Sequence, residues 1–215
     1  MAQTDNTSQL YAVVEAGEAA RERLEAALAA ADIASVLIVP ATGGKLDAAS
    51  AKPLVEAAQR AGAAALLADD AELARALAAD GVHVNADRDL AGSYALARAA
   101  IGQRGLVGVD AGISRHDAMT LAEAGADYIA FGAPAHLKDR DKARTRRDEL
   151  VAWWAEIFEV PCVALDAETA REAEALALAG ADFIGIRLGA GATPAATRDF
   201  VADIAAALAV SETAG

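Results

Sequence analysis

The phrase Ala124-Gly125-Ala126-Asp127-Tyr128-Ile129-Ala130-Phe131 returns almost unchanged as Ala179-Gly180-Ala181-Asp182-Phe183-Ile184-Gly185-Ile186. Each copy closes an Ala-, Glu- and Leu-rich stretch and opens a short apolar run. A weaker copy, Ala61-Gly62-Ala63-Ala64-Ala65-Leu66-Leu67, precedes them, and Ala79-Asp80-Gly81-Val82-His83-Val84 is a fourth variant. Gly can take the left-handed conformation that ends a helix without a Cβ penalty. A short, wholly apolar run after it reads as a strand buried on both faces, as parallel strands are.

Strand candidates recur at even intervals: Leu10–Val14, Val36–Val39, Ala64–Leu67, Gly81–Val84, Leu106–Val109, Tyr128–Phe131, Cys162–Leu165 and Phe183–Ile186. Between them lie helical stretches at Ala19–Ala31, Ala48–Ala61, Ala71–Ala79, Leu90–Ala100, Arg115–Ala124, Arg147–Phe158, Glu168–Ala179 and Thr197–Leu208. Asp47, Asp70, Ser114 and Thr193 stand where N-caps belong. Strict alternation gives either a closed barrel or a doubly wound sheet. The second would show a dinucleotide-type Gly fingerprint after its first strand, and Val14-Glu15-Ala16-Gly17-Glu18 offers a single Gly. The pattern therefore predicts an α/β fold, a single-domain (β/α)8 TIM barrel over residues 9–210. Residues 1–8 are expected to be a disordered lead and 211–215 a loose tail. In such barrels chemistry sits at the C-terminal ends of the strands.

Composition narrows the function classes. The 215 residues carry 32 acidic and 19 basic side chains, a formal charge of −13. That balance argues against nucleic-acid binding, which rests on neutralising phosphates. No apolar run reaches the ~18 residues of a membrane span, so no membrane is expected. The single cysteine, Cys162, cannot form an internal disulfide, which fits the cytoplasm.

One connection is long. After the sixth strand, Gly132 to Arg147 shows no apolar periodicity and holds Lys138, Arg140, Lys142, Arg144, Arg146 and Arg147. It reads as a basic loop over the catalytic face, either meeting a small anionic substrate or lying solvated with no ligand. Trp153-Trp154 in the sixth helix offers two outcomes. Both rings pack inside, or one is exposed and marks a homodimer contact.

The opening Leu10-Tyr11-Ala12-Val13-Val14, the middle from Leu66 to Val84, and Gly108 to Gly132 with Asp110, Ser114 and His116 resemble the thiamine phosphate synthase family. The resemblance runs the length of the barrel. It implies a (β/α)8 fold, joining of hydroxymethylpyrimidine diphosphate to a thiazole phosphate, release of pyrophosphate, and Mg2+. One branch of the family tautomerises a thiazole instead.

The residues that carry the synthase chemistry are where the chain departs. The place of the family's Gln-Leu-Arg reads Ile38-Val39-Pro40-Ala41-Thr42, and its Asn-Asp-Arg reads Ala68-Asp69-Asp70. Asp69 is kept as a metal ligand, with Asp87 or Asp89 as the second carboxylate. The Thr-Pro-Thr-Lys loop is replaced by the basic stretch, with Lys138 or Lys142 as the nearest surrogates. The phosphate-cradling Gly-Gly reads Asp166-Ala167, and the Val-Ser after the last strand reads Arg187-Leu188. A Cβ and a carboxylate at Asp166 would repel a phosphate. Arg187 could grip an anion, or pair with Asp166 across the mouth. The resemblance implies that Asp110, Ser114, Lys142, Asp166 and Arg187 meet the substrate. His116 matches a family histidine. His136 has no counterpart and is the candidate acid or base if the chemistry has changed. His83 is a site group if it points inward and a core histidine if outward. Acids near strand ends also cap helices, which is the other reading of Asp87 and Asp89. Three functions follow: a synthase-like enzyme on an anionic molecule, a degenerate ligand or partner binder, and a proton-transfer enzyme of the tautomerase kind.

Overall fold

Asp80, Asp127 and Asp182, the acids of the repeated phrase, each stitch one strand to the one before it. Their Oδ2 atoms accept from the amides of Ala65, Val107 and Cys162 at 2.7–2.8 Å. Their own amides donate back to the carbonyls of the same three residues. The repeat thus closes the N-terminal rim of the barrel with two-point contacts. Gly62, Gly125 and Gly180 take φ of +85°, +94° and +95°, the left-handed helix exits that the sequence requires. The fourth variant differs: Ala78 takes the left-handed position at φ +53°.

The computed structural model describes residues 8–42, 44–133 and 139–213. Along them run β1 (Gln9–Glu15), α1 (Ala20–Ala30), β2 (Ile33–Val39), α2 (Ala48–Arg60), β3 (Ala64–Ala68), α3 (Ala71–Ala76), β4 (Gly81–Val84) and α4 (Leu90–Ile101). Then come β5 (Leu106–Asp110), α5 (Arg115–Glu123), β6 (Tyr128–Phe131), α6 (Arg140–Ile157), β7 (Cys162–Ala167), α7 (Ala170–Leu178), β8 (Phe183–Leu188) and α8 (Pro194–Thr213). The strands pair in chain order, all parallel, and β8 closes on β1. The predicted caps hold: Asp47, Asp70, Ser114 and Thr193 accept from Ser50, Leu73, Asp117 and Ala196.

Alternate strand residues face opposite ways. One set, including Val36, Ile38, Val82, Val84, Val107 and Val109, packs beneath the helices. The other fills the barrel with Tyr11, Val13, Leu37, Leu66, Tyr128, Val163 and Leu165. Gly108 is required by that filling, because a Cβ there would lie 1.8 Å from the Tyr128 ring. Both tryptophans pack inward. Trp154 is fully buried and stacks on Phe158 at 4.1 Å, and half-buried Trp153 lies 4.5 Å beneath the Arg115 guanidinium.

The basic connection is mostly helix rather than loop. α6 begins at Arg140, capped by Asp139, and its buried face is Ala143, Arg147, Leu150, Val151 and Trp154. The helical period is present, but a small residue and a cation occupy its first two buried positions. Apolar periodicity cannot register them. Residues 134–138 lie outside the described residues, and with them His136 and Lys138. At the other end, α8 continues to Thr213, into the stretch expected to be a tail. Among the described residues no helix is long and apolar enough to cross a membrane.

The stitches give a stability prediction. Asp182→Ala leaves the buried Cys162 amide without its side-chain acceptor and should lower unfolding stability by about 1–3 kcal/mol in urea titration. Arg171→Ala, exposed on α7, should change it far less.

Candidate active site

The strand ends open into a cavity of about 750 Å³. Its floor is polar and dry. The Tyr11 and Tyr128 hydroxyls meet at 2.9 Å, and the Tyr128 hydroxyl lies 2.8 Å from Nδ1 of His83. His83 points inward, since its neighbours Val82 and Val84 pack under the helices. It is fully buried, burial pushes its pKa down to about 4, and its Nε2 has no partner. Burial also raises the tyrosine pKa values, so the floor is uncharged at neutral pH. Val13, Leu37, Val39 and Leu165 make apolar walls above it.

The rim carries charge of both signs. Asn85 and Asp110 extend the inward-facing phase of β4 and β5 by one layer above His83 and Gly108. Asp110 is pushed up to about 6, first by burial, then by the nearby carboxylates of Asp166 and Asp69, against a 2.7 Å bond from the Gly112 amide. Asp69, just after β3, and Asp166, in the irregular step of β7 between Ala164 and Ala167, take the left-handed region at φ +56° and +62°. Such conformations cost energy for residues with a Cβ and gather at functional sites. Asp69 is fixed by Asn85, whose amide and side-chain nitrogen donate at 2.8 and 2.6 Å. Opposite stands Arg187, half exposed, with Nη2 3.4 Å from Asp166 Oδ1. Beside it the β8–α8 turn brings Gly189, Ala192 and the first turn of α8 to the cavity.

Asp166 is held from behind. The guanidinium of Arg147, fully buried, donates Nη1 to the carbonyls of Leu165 and Asp166 at 2.9 and 3.0 Å. Its Nη2 meets Glu172 at 2.6 Å. Arg144 bonds Glu168 and lies 3.8 Å from Glu172, and Arg140 reaches Glu168 at 3.7 Å and the Ala133 carbonyl at 2.6 Å. The cations of α6 are thus joined to acids of β7 and α7.

Of the predicted site residues, Asp110, Asp166 and Arg187 line the cavity together. Ser114 and His116 do not. The Ser114 hydroxyl caps α5, and His116 is exposed in that helix's first turn, which faces away from the barrel. Lys142 is exposed on α6 and stands clear of the cavity. His136 and Lys138 lie outside the described residues. The expected metal carboxylates do not converge. Asp87 accepts from the Asp89 amide and the Ser93 hydroxyl, Asp89 caps α4, and Asp69 is committed to Asn85. Among the described residues no three metal-ligating side chains come together. The predicted trio Asp69, Asp87 and Asp89 therefore does not form a metal site. Asn85 and Glu168 line the cavity without having been singled out from sequence. Asn85 was detectable, two residues from His83 and in phase with it.

A family model described as thiamine monophosphate synthase matches residues 10–189. The chain belongs to that family. It is 37% identical to the thiamine-phosphate synthase of Erythrobacter litoralis over 96% of this chain and all of that protein. It is 40% identical to that of Rhodospirillum centenum over 71% of this chain and 70% of that one. The thiamine phosphate pyrophosphorylase structure from Pyrococcus furiosus superposes with a TM-score of 0.72 at 18% identity, covering 96% of this chain and 98% of that one. Tryptophan synthase from Mycobacterium tuberculosis gives 0.73 at 15%, covering 95% of this chain and 93% of that one. Those two likenesses show the barrel alone. The family places the chain in thiamine biosynthesis as a thiamine phosphate synthase-like protein.

Asp110 yields a pH prediction. Its folded pKa of about 6 exceeds the ordinary 3.8. The folded protein therefore keeps a proton that the unfolded chain has lost, and this residue's contribution falls as pH rises from 3.8 to about 6. Asp110→Asn should raise stability by up to about 3 kcal/mol above pH ~7 and leave it nearly unchanged below pH ~4. Thermal unfolding of both proteins across that range checks it.

Proposed function

We propose that this cytoplasmic protein acts on a heterocyclic intermediate of thiamine biosynthesis that carries one anionic group, and that it moves a proton rather than displacing pyrophosphate. The observation behind this reading is the division of charge around the rim. Arg187, the β8–α8 turn and the first turn of α8 form one corner suited to a single phosphate. The ends of β3, β4 and β5 present Asp69, Asn85 and Asp110, and β2 ends in Val39-Pro40-Ala41. A diphosphate placed there would meet carboxylates and no guanidinium. Like charge at such range is repulsive in proportion to how dry the site is.

The proton chemistry falls to Asp110. A carboxylate with a pKa near 6 is partly protonated near neutrality and can both take and return a proton. The apolar walls exclude water from the bound ring, and the phosphate corner fixes which ring atom faces Asp110. Arg187 is available because its bond to Asp166 is long and exposed, so an incoming anion exchanges one weak pairing for a bidentate one. Asp69, Asp87 and Asp89, the carboxylates expected to hold magnesium, do not gather.

The test uses the phosphorylated thiazole of the pathway in D2O. Proton exchange at the ring should rise with pH through an inflection near 6 and fall about 100-fold in Asp110→Asn. Addition of the pyrimidine diphosphate should give no thiamine phosphate. Synthase turnover at an ordinary enzyme rate, about 1 per second or faster, contradicts the reading.

A further inference from the structure

The floor of the cavity has a polarity that hydrogen-bond counting fixes. Three groups form one buried chain: the Tyr11 hydroxyl, the Tyr128 hydroxyl and Nδ1 of His83. The chain can run in two directions. In one, Tyr11 donates to Tyr128 and Tyr128 donates to Nδ1, which leaves the proton of the neutral imidazole on Nε2. In the other, Nδ1–H donates to Tyr128 and Tyr128 to Tyr11.

The two directions differ in what they strand. The second leaves the Tyr11 hydroxyl proton without an acceptor, at a residue 1% exposed that does not line the cavity. It also leaves Nε2 as a buried acceptor with nothing to accept. A buried donor without a partner costs more than an acceptor with an unused lone pair. The first direction uses both hydroxyl protons inside the protein. Its one unpaired donor is Nε2–H, on the residue of the three that lines the cavity. That direction leaves a single unmet group, a buried Nε2–H on the residue that borders the cavity.

We propose that His83 Nε2–H, held in that tautomer by Tyr128 and Tyr11, is a neutral donor subsite that selects ligands presenting a hydrogen-bond acceptor at their inner end. The acceptor is an unprotonated ring nitrogen or a carbonyl oxygen. Together with the rim, this defines the ligand class: a flat heterocycle with a bare acceptor atom at one end and a single anion at the other. A cation at the inner end is rejected, since it would face a donor. The subsite rests on the function proposed above only for the anionic corner that orients the ligand.

Two measurements test it on the full chain. Long-range 1H–15N correlation spectra of the ligand-free protein report the tautomer directly. We expect a protonated-type Nε2 and a pyridine-type Nδ1 for His83, and an Nδ1–H tautomer overturns the proposal. Binding of isonicotinate is then compared with benzoate and with N-methylisonicotinate. The three share a six-membered aromatic ring and a carboxylate; only the first has a ring lone pair, and the N-methyl compound adds a methyl and a ring cation. One added neutral hydrogen bond should make isonicotinate bind up to about tenfold tighter than benzoate, with the N-methyl compound weakest. In Tyr128→Phe the difference between isonicotinate and benzoate should shrink toward unity. Equal binding of isonicotinate and benzoate overturns the donor subsite and leaves the anionic corner standing. Binding of none of the three overturns both.

Discussion

The geometry of the mouth depends on one buried cation. Arg147 sits in the core of the α6–β7 contact with no exposed surface. A charge so placed is tolerable only if its donors are met. They are met by the Leu165 and Asp166 carbonyls, by Glu172 and by Asp148. Those partners dictate much else. The two carbonyls belong to the irregular step of β7 between Ala164 and Ala167, so the guanidinium sets how the strand turns there. The turn it sets puts Asp166 in the left-handed region with its carboxylate at the rim. From there Asp166 pairs with Arg187 and helps raise the pKa of Asp110.

The same contact decides where the positive charge of α6 goes. Arg140, Arg144 and Arg147 lie at helical spacing on one side of the helix, against Glu168 and Glu172, which are themselves one turn apart. A basic run in an acidic protein suggests a surface that greets anions. Here most of that charge is neutralised inside the molecule. Among the described residues the rim keeps Arg187 and the Glu168-paired Arg140 as cationic side chains, with carboxylates at three strand ends. The chain keeps the family's barrel and turns its charge pattern around.

The barrel was readable because its signals are local. The Gly-Ala-Asp phrase specifies a left-handed exit, a rim contact and a buried strand within a few residues, and caps stand at fixed offsets from helix starts. The site was less readable because it depends on direction and pairing. Asp87 and Asp89 have the composition of metal ligands, but their carboxylates fold back onto the start of α4. Ser114 and His116 match a family pattern, but the Ser114 hydroxyl is taken up as the cap of α5 and His116 is exposed on that helix. Arg147 reads as the end of a charged loop because nothing in a sequence shows that Leu165 and Asp166 wait behind it. His83 could be placed in a strand but not oriented, although the strand alternation that also carries Asn85 and Asp110 was there to be followed.

The central claim is that the mouth accepts one phosphate at the β8 corner and refuses a diphosphate on the opposite side. Isothermal titration of the full chain with the phosphorylated thiazole and with pyrophosphate, each with and without Mg2+, tests it most directly. The account predicts that the thiazole phosphate binds, that Arg187→Ala weakens it about tenfold or more, and that pyrophosphate binds no better than inorganic phosphate whether or not Mg2+ is present. Tight, Mg2+-dependent pyrophosphate binding that survives Arg187→Ala would contradict it.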